Sequence, residues 1–387
     1  MTVRVMVVDD SGLYRQFVRN VLRKISEVEV VGFACTGKEA LEKIPELHPD
    51  LLTLDVQMPD MNGLELLREI KKHRLPVKAI MISSLTAHGA QVTTDALLAG
   101  AFDFIQKPSN PDPNTNRMQL EGLLADKIKA FQQSRTLSMP IKKARTQSAN
   151  ARRIQNEELP LHHTTQYPGG NAAFHEMRTE ARNARIDAVL IGTSTGGPMA
   201  LREVIPKLPK TLGVPVFVVQ HMPPKYTQSL ARRIGEVSQL PVHEAEDGMK
   251  VEANHVYIAQ GGLHMGLERV NRTPVIRTSD LPHEHNCRPA VDFTFRAACN
   301  IYAGNLLGVI LTGMGRDGTE GCRMIKQLGG SVLAQHPDGC TVYGMPKVVV
   351  EEQLADRVVP LEKMASWIVR IVEKNRRNPD ASLRNNI

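Results

Sequence analysis

The 387-residue sequence predicts two α/β domains, each a doubly wound parallel sheet, joined by a flexible polar linker. Three observations carry that prediction. Residues 1–132 alternate short apolar runs with amphipathic runs, residues 133–185 lose the rhythm, and residues 186–374 resume it. Strands that alternate with helices pair in parallel, with helices covering both faces. Residues 375–387 read as a disordered tail.

The elements follow in order. "VRVMVVDD" is a buried strand ending in acids, and "LYRQFVRNVLRKI" is an amphipathic helix. "VEVVGFA", "GKEALEKIPEL", "DLLTLDVQM", "GLELLREIKKH", "VKAIMISS", "QVTTDALLAG", "FDFIQKP" and "LEGLLADKIKAFQQ" complete five strands and five helices. In a parallel sheet the strand ends share one edge, where ligands sit. That edge gathers Asp9 and Asp10 after the first strand, Asp55 after the third, Ser83 after the fourth and Lys107 after the fifth. Clustered carboxylates repel unless a cation joins them, and all-oxygen ligands suit Mg²⁺. A carboxylate beside Mg²⁺ and an ammonium can attack a phosphoryl group. Helix capping explains one such acid but not five matching positions.

The linker carries nine Arg or Lys against four Glu, most of the net charge of +7. Such a segment reads as a solvated connector rather than a nucleic-acid surface. Five dispersed cysteines suit reduced thiols in a cytoplasmic protein. The longest apolar runs are too short to insert in a membrane.

From Ile186 the elements are "IDAVLIG", "MALREVIPKL", "VPVFVVQH", "YTQSLARRIGEV", "HVYIA", "AVDFTFRAACNIY", "LLGVILTG", "GCRMIKQLGG" and "SVLAQ". After the first of these strands, "GTSTG" satisfies G-x-S-x-G, a turn that lifts Ser194 to the sheet edge. A serine needs a base oriented by a third group. His221 closes the next strand and His336 closes a later one, so either could be the base. Adjacent strand ends favour His221. "GMGRDG" matches G-x-G-x-x-G, with Asp338 where a ribose-binding acid would stand. It comes too late in its domain for a dinucleotide loop, and it reads better as a turn presenting Asp317.

Residues 3 to about 125 resemble the response-regulator receiver domain, a flavodoxin-like fold. The resemblance implies that Asp55 is the phosphoacceptor. It implies that Asp9, Asp10, Asp55 and the backbone carbonyl of Gln57 hold Mg²⁺, and that Ser83, Lys107 and the switch aromatic Phe104 read the phosphoryl group. "IGTSTGGP", "VVQHMP", "GGLHM", "RPAVDFTF", "GVILTGMGRDGTEG" and "YGMPK" together resemble the chemotaxis protein-glutamate methylesterase (CheB) family. That resemblance implies a Rossmann-like second domain that hydrolyses glutamate γ-methyl esters, and in some cases glutamine amides, with no cofactor for the ester chemistry. It implies Ser194 as nucleophile, His221 as base and Asp317 as orienting acid. Thr195 and Met314 are the implied oxyanion donors, and His264 and Arg288 the implied site-lining residues. The implied partners are methyl-accepting chemoreceptors and a CheA-type histidine kinase, with the chain itself a monomer. The unphosphorylated receiver is expected to cover the esterase cleft. Two alternatives are a DNA-binding response regulator and a non-catalytic scaffold. The loop "LPHEHNC" holds His283, His285 and Cys287; a plain loop excursion is preferred there to a metal site.

Overall fold

The structure is a computed structural model that describes residues 2–84, 86–137 and 185–376. The expected linker conformation and disordered tail lie outside the described residues, except for the linker's two ends and residues 375 and 376, which are helical.

The first domain holds strands β1 Val3–Val8, β2 Val28–Ala34, β3 Leu51–Asp55, β4 Lys78–Ser83 and β5 Asp103–Gln106. Between and after them run helices α1 Gly12–Leu22, α2 Gly37–Leu47, α3 Gly63–Lys72, α4 Ala87–Ala99 and α5 Pro113–Leu137. The strand order is 2-1-3-4-5, all parallel, which is the flavodoxin-like arrangement. Local chemistry starts each helix. Ser11, Thr36 and Thr86 each accept a backbone N–H three residues on, and Asn62 with Glu65 forms a full capping box. The central strands are apolar on both faces because helices cover both.

The second domain is a seven-stranded parallel sheet made of β6 Ala188–Thr193, β7 Val216–Gln220, β8 Val242–Glu244, β9 Val256–Ile258, β12 Leu306–Ile310, β13 Ser331–Gln335 and β14 Arg357–Val359. Their order is 14-13-12-6-7-9-8. An antiparallel hairpin, β10 His264–Val270 and β11 Thr273–Ser279, stands apart from the sheet. The helices are α6 Gly197–Val204, α7 Tyr226–Gly235, α8 Val291–Tyr302, α9 Thr319–Gln327, α10 Met345–Glu351 and α11 Leu361–Arg376.

Helices α10 and α11 follow the last expected element, and further features depart from the expected string. The short edge strands β8 and β14 and the β10–β11 hairpin are additional, and α5 runs to Leu137, past the expected boundary at residue 132. The hairpin turns on Asn271 and Arg272, both left-handed, so a two-residue turn forms without the glycine that usually marks it.

The domains pack through α4 and β5 of the first against α6 and α7 of the second. Leu97, Leu98 and Phe104 join one apolar cluster with Met222, Tyr226 and Leu230. Arg233 pairs with Asp95 at 2.6 Å, and Arg202 donates to the Leu98 carbonyl.

Candidate active site and phosphoryl site

In the first domain the strand-end residues converge. Lys107 Nζ lies 3.1 Å from both Asp9 Oδ2 and Asp55 Oδ2, over the ring of Tyr14. Oxygens of Asp9, Asp10 and Asp55 lie within 4.8 Å of one another. Asp9 and Asp55 are buried, while Asp10 opens to a cleft shared with Gln57, Asn62 and His88. Burial lifts Asp55 above the usual carboxylate range, and the Lys107 ammonium opposes that rise. Three carboxylates around a single lysine leave uncompensated negative charge, which fits a hard divalent cation.

Ser83 at the end of β4 and Phe104 on β5 meet the second domain. The Phe104 ring lies against Tyr226 at 4.5 Å between centroids. The Tyr226 hydroxyl faces Ser83 and is buried without a formed hydrogen bond.

In the second domain β6 and β7 are neighbours, with Thr193 opposite Gln220. The next residue on each chain is Ser194 and His221, so register alone sets them side by side. The serine turn is tied down on every side. Ser194 N–H donates to the Thr312 carbonyl, and the Ser194 carbonyl accepts from Gly197 N–H and Gln220 Nε2. Gly196 takes φ +80, and an added side chain there would strike Thr341. Among the described residues Ser194 Oγ has no hydrogen-bond partner, and the N–H groups of Thr195 and Met314 have no acceptor. Apo geometry of this kind does not exclude a nucleophile.

His221 Nε2 sits 2.7 Å from Asp317 Oδ2, so the ring nitrogen not engaged by Asp317 is Nδ1. The Cys287 thiol also faces the His221 ring. Burial pushes the imidazole down, but Asp317 and Cys287 outweigh it and hold His221 well above an ordinary histidine. Asp317 is 2% exposed, and burial raises it, yet His221 and the N–H groups of Asp292 and Val291 bring it below the ordinary carboxylate. "GMGRDG" bends as a presenting turn, with Gly315 at φ +88 and Gly318 at φ +93 on either side of Asp317. Asp338 belongs to a separate short turn after β13, where its N–H donates to His336 Nδ1. The structure therefore brings His221, not His336, to Asp317.

Gly313 packs directly under Ser194; a Cβ there would lie 2.9 Å from Ser194 Cβ and also strike Met345. Gly313→Ala is expected to displace Ser194. A misplacement of about 1 Å costs on the order of 100-fold in rate, and overpacking costs about 1–3 kcal/mol of stability. Methanol release and a thermal melt check both effects.

Two expected site-lining residues need separate treatment. His264 is fully buried, pairs through Nε2 with the Pro282 carbonyl at 3.0 Å, accepts the Ala290 N–H and stacks on Phe293. It braces the 280s loop from behind instead of lining the cleft, because it starts strand β10 at an inward position. Arg288 holds the carbonyls of Asp280 and Leu281, and its Nε is buried without a partner. Within the loop, His285 turns to Asp292 and Cys287 to His221.

One residue beside the triad escaped the sequence reading. The receiver's Asp103, held by Lys127 at 2.7 Å, also accepts a short hydrogen bond from the hydroxyl of Thr195, next to Ser194. No local sequence signal marks that contact, which exists only because two domains meet.

Residues 189–368 match the family model described as CheB methylesterase, and residues 5–119 match the response regulator receiver domain. A Thermotoga maritima protein named protein-glutamate methylesterase/protein-glutamine glutaminase is 41% identical over 372 residues, covering 96% of this chain and 98% of its own length. A Trichodesmium erythraeum protein of the same name is 38% identical over 370 residues, with 95% and 98% covered. Among the described residues no helix is long and apolar enough to cross a membrane.

Proposed function

Since the chain belongs to the CheB methylesterase family, we propose that Ser194, His221 and Asp317 perform its ester hydrolysis. The family supplies the activity: a hydrolase of protein-glutamate methyl esters and protein-glutamine amides, fused to a receiver. A DNA-binding output is thereby disfavoured. The 2.7 Å His221–Asp317 pair, one strand end from Ser194, carries the residue assignment.

Ser194 Oγ attacks the γ-ester carbonyl as His221 Nδ1 takes its proton. The N–H groups of Thr195 and Met314 receive the oxyanion, being without other acceptors. His221 then protonates the departing methanol. Water enters, gives a proton to His221, and releases the glutamate carboxylate and Ser194. Asp317 stays ionised throughout and stabilises the imidazolium. Arg288, held in the loop by the Asp280 and Leu281 carbonyls, is the proposed site-lining cation. An amide in place of the ester follows the same steps with ammonia leaving.

In the receiver, Asp55 is the acceptor of a phosphoryl group from a CheA-type histidine kinase. Asp9, Asp10, Asp55 and the Gln57 carbonyl would hold Mg²⁺, which neutralises charge on the phosphoryl oxygens. Lys107 contributes the remaining positive charge. The substrate-bearing partners are methylated chemoreceptors. The receiver extends through α5 to Leu137, and the esterase runs from residue 186 through α11 to Arg376.

The test is methanol release from methylated receptor membranes. A phosphodonor with Mg²⁺ is expected to raise the rate, and a chelator to remove that stimulation while leaving the basal rate. Loss of the basal rate on chelation would overturn the metal-free reading of the ester chemistry.

A further inference from the structure

Tyr14 stands at the phosphoryl site, in the first turn of α1, and local bonds fix that turn against the acids. Asp9 Oδ1 accepts the Ser11 N–H at 2.9 Å, and Ser11 Oγ accepts the Tyr14 N–H at 3.3 Å. The Tyr14 ring then lies against Lys107, whose Nζ sits 4.3 Å from the ring centroid and 3.1 Å from both Asp9 Oδ2 and Asp55 Oδ2. Phe17, one turn along α1, backs the tyrosine at 5.6 Å between centroids.

The Tyr14 hydroxyl oxygen is buried, and among the described residues it has no hydrogen-bond partner. The charges of Asp9 and Asp55 both bear on it. A phenol keeps its proton at neutral pH, so this group is a donor. A buried donor left unpaired costs free energy, and a new acceptor recovers it. Packing against Lys107 needs the ring alone, and phenylalanine would supply that without the cost. The oxygen therefore calls for an acceptor that arrives from outside.

We propose that Tyr14 is a further residue of the phosphoryl site: its ring holds Lys107 beside the carboxylates, and its hydroxyl donates a hydrogen bond to an oxygen of the phosphoryl group on Asp55. A phosphoryl group brings three strong acceptor oxygens into a cluster that is otherwise short of donors. The face of an aromatic ring attracts an ammonium, which keeps Lys107 in place before the anion arrives. Mg²⁺ takes carboxylates, carbonyls and waters, so the phenol is matched to the phosphoryl oxygens and not to the metal.

This role rests on Asp55 as the phosphoacceptor, and Asp55→Asn tests that reading separately in the same experiment. The full chain is titrated by calorimetry with beryllium fluoride in the presence of Mg²⁺, a mimic of the phosphoryl group, and with Mg²⁺ alone. Tyr14→Phe keeps the ring and removes only the oxygen. It is expected to bind beryllium fluoride about 10- to 100-fold more weakly, the size of one hydrogen bond to a charged acceptor. It binds Mg²⁺ alone as the native chain does. It melts at the native temperature or above it, because an unpaired buried hydroxyl is gone. Tyr14→Leu weakens beryllium fluoride binding further, because Lys107 also loses the aromatic face. Native-like binding of beryllium fluoride by Asp55→Asn would overturn the phosphoacceptor reading itself. Native affinity in Tyr14→Phe, with Asp55→Asn unable to bind, overturns the role of the hydroxyl alone. So does an equal loss for Mg²⁺ alone, which would put the hydroxyl on the metal. A weaker affinity together with a lower melting temperature marks a structural tyrosine and overturns it as well.

Discussion

Ser194→Ala and His221→Ala each reduce methanol release from methylated receptors by about 10⁴-fold or more, to the level left by binding and the oxyanion donors alone. The size follows from unity of function. A serine without its base is a poor nucleophile at neutral pH, and a base without its serine has nothing to deprotonate but water. The two losses therefore do not add in the double variant. Asp317→Asn loses less through chemistry than through orientation, since it alters the proton arrangement on His221 and loosens the cap on α8. His336→Ala is the control, because His336 faces Asp338 and the Asp338 N–H in a separate turn. Wild-type activity in Ser194→Ala, or complete loss in His336→Ala with Ser194 intact, would sink the assignment.

The proposed triad was legible as a set of strand ends because parallel sheets convert sequence order into position. Ser194, His221 and Asp317 each follow a strand, and β6 lies between β7 and β12, so three strand ends meet. The five receiver positions were legible by the same rule. Fine placement was not. His264 lies at the start of β10, in a hairpin whose Asn271–Arg272 turn carries no glycine signal. Asp292 reads from sequence as an acid in a helix's first turn, an ordinary cap preference. That it caps a different helix, and backs onto Asp317, depends on how α8 and α9 pack. The short strands β8 and β14, three residues each, are edge pieces defined by their neighbours more than by their own residues.

Asp55→Asn abolishes stimulation by phosphodonor, and a second change in the interface restores activity without it. The reasoning runs through Phe104 and Asp103. Ser83 and Lys107 stand where a phosphoryl group on Asp55 would draw them, and Tyr226 of the esterase rests against Ser83 and the Phe104 ring. An aromatic pair contributes about 0.5–1.5 kcal/mol beyond its buried area. The partly buried Arg233–Asp95 pair adds up to about 1 kcal/mol. The Asp103–Thr195 hydrogen bond contributes about 1.5–3 kcal/mol because its acceptor is charged. A closed state held by contacts of this size shifts roughly 10- to 100-fold when one or two are lost. Phe104→Ala and Asp103→Ala leave every residue of the esterase intact, so each raises the unstimulated rate. Asp55→Asn combined with Phe104→Ala is therefore active without phosphodonor and indifferent to it. If that double variant stays as slow as Asp55→Asn alone, the receiver does not restrain the esterase through this face, and phosphorylation must act by another route.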